Sequence, residues 1–293
     1  MSDLPSDHSD ARELFTSHPR SFEENRYVYP VVSRRAGGIS IGVNLNLDKV
    51  CNFACIYCQV DRTEMGEREF VELQRLADEL DYAVELIASG RIYDGPRFSQ
   101  LPEHLRRLND IALSGDGEPT TYRNFEHVVA VCANVRRRHR LDDMKIVLIT
   151  NATMFDRPHI RRGLELLDAN NGEIWAKLDA GTEAHYNRVA RSAVRFSKIL
   201  DNLRWAASIR PIVIQTLFME IQGEGPDEAE LAAYCDRLDE IVQSGGRIKH
   251  VQIHTVARAP AEAYVSALSN DRVEEIAELV REKTGLEVAG FGA

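Results

Sequence analysis

The sequence is poor in cysteine and contains no long apolar run. Only five of its 293 residues are cysteines, an odd number that does not suit a fully paired disulfide framework. No apolar stretch is long enough to span a bilayer, and the polar residues 1–15 do not resemble a secretory signal. We therefore expect a cytoplasmic protein that keeps its thiols reduced and does not associate with membranes.

Cationic side chains are also scarce relative to anionic ones. Lysine and arginine number 36 against 46 aspartates and glutamates, which gives a net charge of -10. Affinity for nucleic-acid phosphates comes mainly from cations, so this balance disfavours general nucleic-acid binding without excluding a local basic patch.

The pattern of apolar residues predicts one α/β domain, residues 39–293, after an N-terminal extension, residues 1–38. Period-two strands alternate with amphipathic helices, and no proline-rich linker interrupts them. The predicted strands are 39–47, 110–113, 145–150, 173–179, 212–219 and 248–255, and the predicted helices are 69–89, 124–138, 158–167, 196–208, 227–242 and 271–283. Such a repeat predicts a parallel sheet with right-handed crossovers. Residues 26–34 are an expected edge strand, and residues 286–290 form a short apolar tail.

Three of the five cysteines lie within eight positions, directly after the first predicted strand. Cys51, Cys55 and Cys58 have a C-x3-C-x2-C spacing. Soft thiolate ligands favour iron, and one short loop with this spacing can wrap an iron-sulfur cluster. A four-iron cubane held by three cysteines leaves one iron without a protein ligand. The alternatives are a zinc site, which usually recruits a second Cys or His pair, and a chance grouping of thiols.

These cysteines, with Tyr57 just before the third, resemble the signature loop of the radical S-adenosylmethionine (radical SAM) superfamily. The resemblance implies an open, partial (β/α)6 TIM-like barrel and an iron with a free site that is chelated by S-adenosylmethionine. It further implies that an electron from the cluster releases a 5'-deoxyadenosyl radical, which abstracts hydrogen from a substrate. An external electron donor of the flavodoxin or ferredoxin type is implied as well.

A second motif follows the second strand of the predicted barrel. Gly115, Asp116, Gly117 and Glu118, followed by Pro119, resemble the G-G-E-P motif with which the superfamily binds the amino group of S-adenosylmethionine. Glycines allow the backbone to approach a ligand, and carbonyl and carboxylate oxygens accept hydrogen bonds from an ammonium group. The chain departs from that motif by its additional Asp116. Taken alone, the same tetrapeptide is typical of a turn.

Polar residues at the ends of the later strands complete the predicted site, because such residues share the mouth of a βα barrel. Lys177 and Asp179 lie two apart on one strand and should face the same side. They are candidates for contact with cofactor or substrate, or for an ion pair that closes the barrel. Asn151, Gln215 and His254 are further cofactor-binding candidates, and each is equally compatible with a hydrogen-bonded core residue. His254, with a near-neutral pKa, is also a candidate acid or base.

The remaining candidates have structural interpretations. Arg188, Arg191 and Arg195 follow the fourth strand and are expected to be surface charges rather than an anion site. Cys132 and Cys235 lie among apolar helix residues and are expected to pack in the core, so we predict no auxiliary cluster.

The sequence thus predicts a single-cluster radical SAM enzyme that abstracts hydrogen from a small-molecule or peptide substrate. Residues 46–59 and 177–181 look most like the branch that contains the wyosine-base tRNA-modifying enzymes. A tRNA-base-modifying enzyme is therefore one alternative, although this chain lacks the extra cysteines and the basic surface of that branch. A non-catalytic iron-sulfur protein that transfers electrons is the other.

Overall fold

The computed structural model describes residues 22–33, 37–62, 64, 66–67 and 70–292. Its main feature is a curled sheet of eight strands in the order β1-β2-β3-β4-β5-β6-β8-β10. The strands are β1 (Val28–Ser33), β2 (Gly38–Val43), β3 (Leu108–Leu113), β4 (Lys145–Thr150), β5 (Gly172–Lys177), β6 (Ile212–Leu217), β8 (Ile248–His254) and β10 (Val288–Phe291). All neighbours pair in parallel except β1, which is antiparallel to β2.

Helices connect the parallel strands and cover the convex face of the sheet. They are α1 (Leu73–Ala88), α2 (Phe125–Arg138), α3 (Pro158–Asp168), α4 (Glu183–Ala190), α5 (Phe196–Ile209), α6 (Glu228–Gln243) and α7 (Asn270–Thr284). Two very short strands, β7 (Glu220–Ile221) and β9 (Val265–Ser266), form a separate antiparallel pair.

Alternation along each strand separates the core from the interior of the barrel. In β2, Ile39, Ile41 and Val43 are fully buried and belong to the main hydrophobic cluster, together with apolar residues of the helices. Their neighbours Ser40 and Gly42 line a cavity inside the curled sheet. Burying one such aliphatic side chain contributes about 1.5–3 kcal/mol, so the strand is fixed with its small residues inward.

Local signals in the sequence account for several helix boundaries. Side chains of Thr182, Asp227 and Ser269 accept hydrogen bonds from backbone amides in the first turns of α4, α6 and α7. Such N-caps satisfy amides that have no partner within the helix. Gly285 ends α7 in the left-handed conformation, at φ 67°.

The predicted parallel partial barrel is confirmed, with six βα units that begin at β2. The expected edge strand is also confirmed, since β1 lies at one edge of the sheet. The first 21 residues of the predicted extension, and position 69 of the first predicted helix, lie outside the described residues.

Two parts of the sequence prediction were wrong. The apolar tail after the last helix is a seventh parallel strand, because β10 pairs with β8. The strand predicted to reach position 179 ends at Lys177. The short helix α4 was not predicted.

Cys132 and Cys235 are buried among apolar side chains of the main core, as expected. Within the described part of the chain, no helix is both long and apolar enough to cross a membrane.

Candidate active site

The loop after β2 carries the three clustered cysteines to the mouth of the barrel, where the carboxyl ends of the parallel strands meet. Cys51, Cys55 and Cys58 all line one open cavity of about 310 Å³. Within the loop, the Cys58 amide donates to the Cys55 carbonyl at 3.0 Å. Burial raises the pKa of the Cys55 thiol to about 12, despite the nearby Lys177. A metal that binds this sulfur must therefore displace its proton.

The glycines of the 115–119 motif bring this segment into close contact with the cysteine loop. A Cβ on Gly117 would lie 2.0 Å from the carbonyl oxygen of Val50, and one on Gly115 would lie 2.3 Å from Oδ1 of Asn44. The Glu118 amide donates to the same Val50 carbonyl at 3.2 Å. Glycine is therefore required here for contact between two loops, and the backbone of both loops borders the cavity.

The carboxylate of Glu118 accepts hydrogen bonds from three residues of its own chain. It accepts hydrogen bonds from the amide and hydroxyl of Thr120, from Oγ1 of Thr150 at 2.6 Å and from the amide of Asn151 at 2.8 Å. Burial raises the pKa of Glu118, although these hydrogen bonds act in the opposite direction. Its main role is therefore to join the motif after β3 to the end of β4.

Asp116 has a different environment. Its carboxylate accepts from Nδ2 of Asn44 at 2.7 Å, and its amide donates to Oδ1 of the same residue at 3.1 Å. It is only partly buried and lines the cavity. Of the two carboxylates in the motif, Asp116 is the one that Asn44 holds at the cavity wall.

Asn151 connects the end of β4 to the cysteine loop. Its Nδ2 donates to Oδ1 of Asn52 at 2.7 Å and lies 3.9 Å from the sulfur of Cys51. Asn52 in turn donates to Oγ1 of Thr153 at 2.5 Å. This buried amide network fixes the position of the first cysteine, and Asn151 also lines the cavity.

Lys177, Tyr57 and Asp179 form a chain of polar contacts beside the cysteines. Tyr57 donates to the carboxylate of Asp179, and Nζ of Lys177 lies 3.2 Å from the Tyr57 hydroxyl and 4.9 Å from the centre of its ring. The other oxygen of Asp179 accepts from the amide of Leu217 at 2.8 Å.

That Lys177 and Asp179 face the same side stays a prediction. Lys177 and Tyr57 line the cavity, and Lys177 also borders a small second pocket, which Asp179 lines. Strand alternation does not extend to Asp179, because β5 ends at Lys177. The Tyr57 hydroxyl nevertheless bonds to both side chains.

Gln215 and His254 lie on the far wall of the same cavity. Gln215 is buried and donates to Oε1 of Gln252 at 2.8 Å, and Gln252 contacts a ring nitrogen of His250 at 3.0 Å. His254 is the last residue of β8 and is partly exposed. Its role as an acid or base stays a prediction.

Sequence reasoning missed several cavity residues. Trp175 lies two positions before Lys177 on the same strand, so alternation alone could have placed it. Tyr29 reaches the cavity from β1, and its hydroxyl contacts Ser114 at 3.2 Å. Further cavity residues are Arg62, Arg258 and Phe291. Phe291 carries no local signal, because its position depends on the unpredicted strand β10.

The residues at the cavity fit an iron-sulfur cluster and a small organic ligand. The donor set consists of three thiols, which suits iron-sulfur chemistry. Within the described residues, no three Cys, His, Asp or Glu side chains are arranged to hold a single metal ion. The cavity volume of about 310 Å³ falls within the range of about 300–1,000 Å³ that is usual for small-molecule sites.

Comparison with known proteins identifies the family. The family model described as the Radical SAM superfamily matches residues 45–235, which include the cysteine loop and the 115–119 motif. This chain belongs to the radical SAM superfamily. The prediction of a radical SAM enzyme is thereby confirmed at the level of the family. Members use a four-iron four-sulfur cluster and S-adenosylmethionine, the two predicted cofactors.

The curated relatives are distant. The chain is 22% identical over 272 residues to a protein named GTPase Obg from Brachyspira hyodysenteriae, covering 88% of this chain and 34% of that protein. It is 29% identical over 184 residues to the UPF0026 protein MJ1312 of Methanocaldococcus jannaschii, covering 59% of this chain and 47% of that protein. This chain thus spans about a third to a half of the length of the curated relatives that it matches.

Solved structures with a similar fold include two radical SAM proteins. Archaeal TYW1 superposes with a TM-score of 0.51 at 14% identity, covering 85% of this chain and 73% of that chain. Streptococcus suis SuiB, solved with bound S-adenosylmethionine, superposes with a TM-score of 0.52 at 11% identity, covering 83% and 45%. At these identities the likeness concerns the fold.

Proposed function

We propose that this protein uses one cluster, bound by Cys51, Cys55 and Cys58, to cleave S-adenosylmethionine reductively and abstract hydrogen from a small-molecule or peptide substrate. The observation that carries the proposal is that the three thiols and the 115–118 motif border one open cavity. When bound, the cluster supplies an electron and S-adenosylmethionine supplies the 5'-deoxyadenosyl radical that abstracts the hydrogen.

The residues of this chain hold and orient these groups. Asp116, held by Asn44, and the backbone carbonyls of the same loop accept hydrogen bonds from the ammonium group of S-adenosylmethionine. Glu118 keeps that loop fixed to β4 through Thr150 and Asn151, and its Oε2, which accepts one hydrogen bond, is a further acceptor for the ammonium group.

Lys177 places a cation beside the cysteines. Tyr57 and Asp179 hold it there, because Tyr57 accepts from Lys177 and donates to Asp179. Lys177 and Gln215 line the cavity opposite the 115–118 motif and contact the ligand or the substrate. His254, which also lines the cavity, is the acid or base of this proposal.

The net charge of the chain supports the proposed substrate class. The net charge of -10 disfavours a large polyanion such as tRNA. A compact substrate that enters the cavity fits this balance better.

A product assay tests the proposal. Protein reconstituted anaerobically with iron and sulfide, then reduced with dithionite and mixed with S-adenosylmethionine, should release 5'-deoxyadenosine and methionine. Candidate substrates labelled with deuterium should then transfer the label to 5'-deoxyadenosine. A reduced cluster that never cleaves S-adenosylmethionine would support the electron-transfer alternative, and deuterium transfer from a tRNA base alone would support the tRNA alternative.

A further inference from the structure

The outer side of the cysteine loop rests on the segment that joins α4 to α5. The Ala54 amide donates to the Ala190 carbonyl at 2.9 Å, and the Ile56 amide donates to the Val189 carbonyl at 3.0 Å. Ser192 donates to the Asn52 carbonyl at 2.7 Å. Residues 189–192 therefore form the wall directly behind the cysteines, on the side away from the cavity.

The wall and the residues next to it carry three arginines, here called the arginine face: Arg188, Arg191 and Arg195. All three are exposed. Residues 183–196 contain a single acidic residue, Glu183, so the segment is cationic although the chain has a net charge of -10.

Only one of the three arginines is committed to an ion pair with a described carboxylate. Arg191 pairs with Glu262 and donates to the Tyr264 hydroxyl at 2.5 Å. Among the described residues, Arg188 and Arg195 have no such pair. Their charges are therefore available to a partner, and Arg191 is held in place between them.

The geometry also restricts the direction from which an electron can arrive. The inner side of the cysteine loop faces the cavity, which the ligand and the substrate must occupy. Of residues 51–58, all of which are described, only Ala54 is exposed. It lies between the first and second cysteines in sequence, and its amide bonds to the Ala190 carbonyl beside the arginine face, so a donor docked there approaches the cysteine loop from the side away from the cavity.

We infer that the arginine face, with the adjacent Ala54, is the docking surface for a small acidic electron-transfer protein. In the complex the donor's redox centre is oxidised by one electron and the cluster is reduced by one electron, with no transfer of atoms. Complementary charge speeds the encounter of such partners and makes it sensitive to salt. This inference rests on the proposed function, because it assumes a cluster at the three cysteines.

Charge reversal of the face tests the inference. The variant Arg188→Glu/Arg195→Glu is compared with Arg137→Glu/Lys283→Glu, which changes the net charge equally. Arg137 and Lys283 are exposed residues near the carboxyl ends of α2 and α7, at the opposite end of the barrel. Each reconstituted protein is reduced by an acidic flavodoxin, prepared as the hydroquinone, and separately by dithionite, while the visible absorbance of the cluster is followed. Binding of oxidised flavodoxin is measured across a salt series.

We expect the flavodoxin-dependent rate of the arginine-face variant to fall by about tenfold or more at low salt, with weaker flavodoxin binding. Its dithionite rate should equal that of the wild type, the control variant should behave as the wild type, and added salt should reduce the difference.

Two results would overturn the inference: an unchanged flavodoxin rate in the arginine-face variant, or an equal loss in the control variant. A wild-type protein that binds no cluster, or whose cluster dithionite cannot reduce, would instead contradict the proposed function.

Discussion

Two buried carboxylates occupy opposite ends of the barrel, and their partners differ. Glu173, near the amino ends of the strands, receives hydrogen bonds from Lys145 at 2.8 Å, from Lys249 and from Nε1 of Trp175 at 2.8 Å. Glu118, at the mouth, receives hydrogen bonds only from neutral hydroxyl and amide donors. At the amino ends of the strands, Lys145 and Lys249 neutralise the carboxylate of Glu173. At the mouth, Glu118 has neutral partners, and the cation Lys177 lies beside the cysteines instead.

The pKa values follow the same contrast. Burial acts against ionisation at both sites, but the lysines and Trp175 lower the pKa of Glu173 to about 2. Neutral donors do not compensate for burial at Glu118, whose pKa is raised. Ionised Glu173 thus stabilises the fold, whereas burial opposes the ionisation of Glu118 at the mouth.

The largest expected effect comes from removing a thiol at the mouth. Cys55→Ser should reduce both the visible absorbance of the reconstituted cluster and the release of 5'-deoxyadenosine to background, because the ligand set loses a soft donor. Cys235→Ala, a change in the core, should leave both readouts close to the wild type. Equal losses in the two variants would show that the thiol deletion acted through folding.

The next largest effect is expected at the contact between the 115–118 motif and the cysteine loop. Gly117→Ala places a methyl group 2.0 Å from the Val50 carbonyl, which must shift. Overpacking of this kind costs about 1–3 kcal/mol, and we expect weaker binding of S-adenosylmethionine in equilibrium dialysis. Gly95→Ala is the matched control, because its new methyl group would meet only the Ile92 carbonyl, at 3.5 Å. Normal ligand binding by the Gly117 variant would contradict the assigned contact.

Glu118→Gln tests whether the mouth depends on a carboxylate that accepts on both oxygens. The amide nitrogen of Gln cannot accept, so one group of donors loses its partner at a cost of about 1–3 kcal/mol. Urea unfolding should show this loss, and the Michaelis constant for S-adenosylmethionine should rise because the 115–118 loop is no longer held to β4. A purely structural loss, with an unchanged Michaelis constant, would separate Glu118 from the site.

Lowering the pH should reveal how much Glu173, at the amino ends of the strands, contributes to stability. Since the folded pKa of Glu173 lies near 2, below its ordinary value of 4.5, its ionised form stabilises the protein above pH 4.5. That stabilisation is lost as the pH falls from 4.5 towards 2. Glu173→Gln should therefore cost about 3 kcal/mol at neutral pH and remove this part of the pH dependence.

Cofactor binding provides the control for that variant. Folded Glu173→Gln should bind the cluster and S-adenosylmethionine as the wild type does, because Glu173 does not line the cavity. If folded Glu173→Gln failed to bind the cluster, Glu173 would act on the site as well as on stability. That result would contradict the contrast drawn between the two ends of the barrel.

Much of the fold could be predicted because its signals are local. Buried residues such as Ile39, Ile41 and Val43 alternate with small residues, and apolar residues recur at helical spacing, so six βα units are readable. Strand β10 escaped prediction because only four residues form it, and its pairing with β8 stabilises it. A tertiary contact of this kind leaves no periodic pattern in four residues.

The candidate site likewise combines features with a local sequence signal and features that depend on tertiary contacts. The cysteine spacing is local, and the structure does bring the three cysteines together at one cavity, whereas the position of Asp179 depends on where β5 ends. The roles of Gly117 and Asn44 depend on contact between loops that are about 70 residues apart in sequence, so composition suggested glycine's usual role beside a ligand instead. Glu118 could be recognised as a motif residue, but its hydrogen bonds from Thr150 and Asn151 could be seen only in the folded chain.

The central claim is that S-adenosylmethionine binds to a cluster at Cys51, Cys55 and Cys58, in the cavity bordered by Gly115–Glu118. Electron paramagnetic resonance of the dithionite-reduced protein, recorded with and without S-adenosylmethionine, tests it most directly. We predict a cluster signal whose g values change when S-adenosylmethionine is added and that is absent from Cys55→Ser. A reduced cluster whose spectrum is identical with and without the ligand would contradict the account.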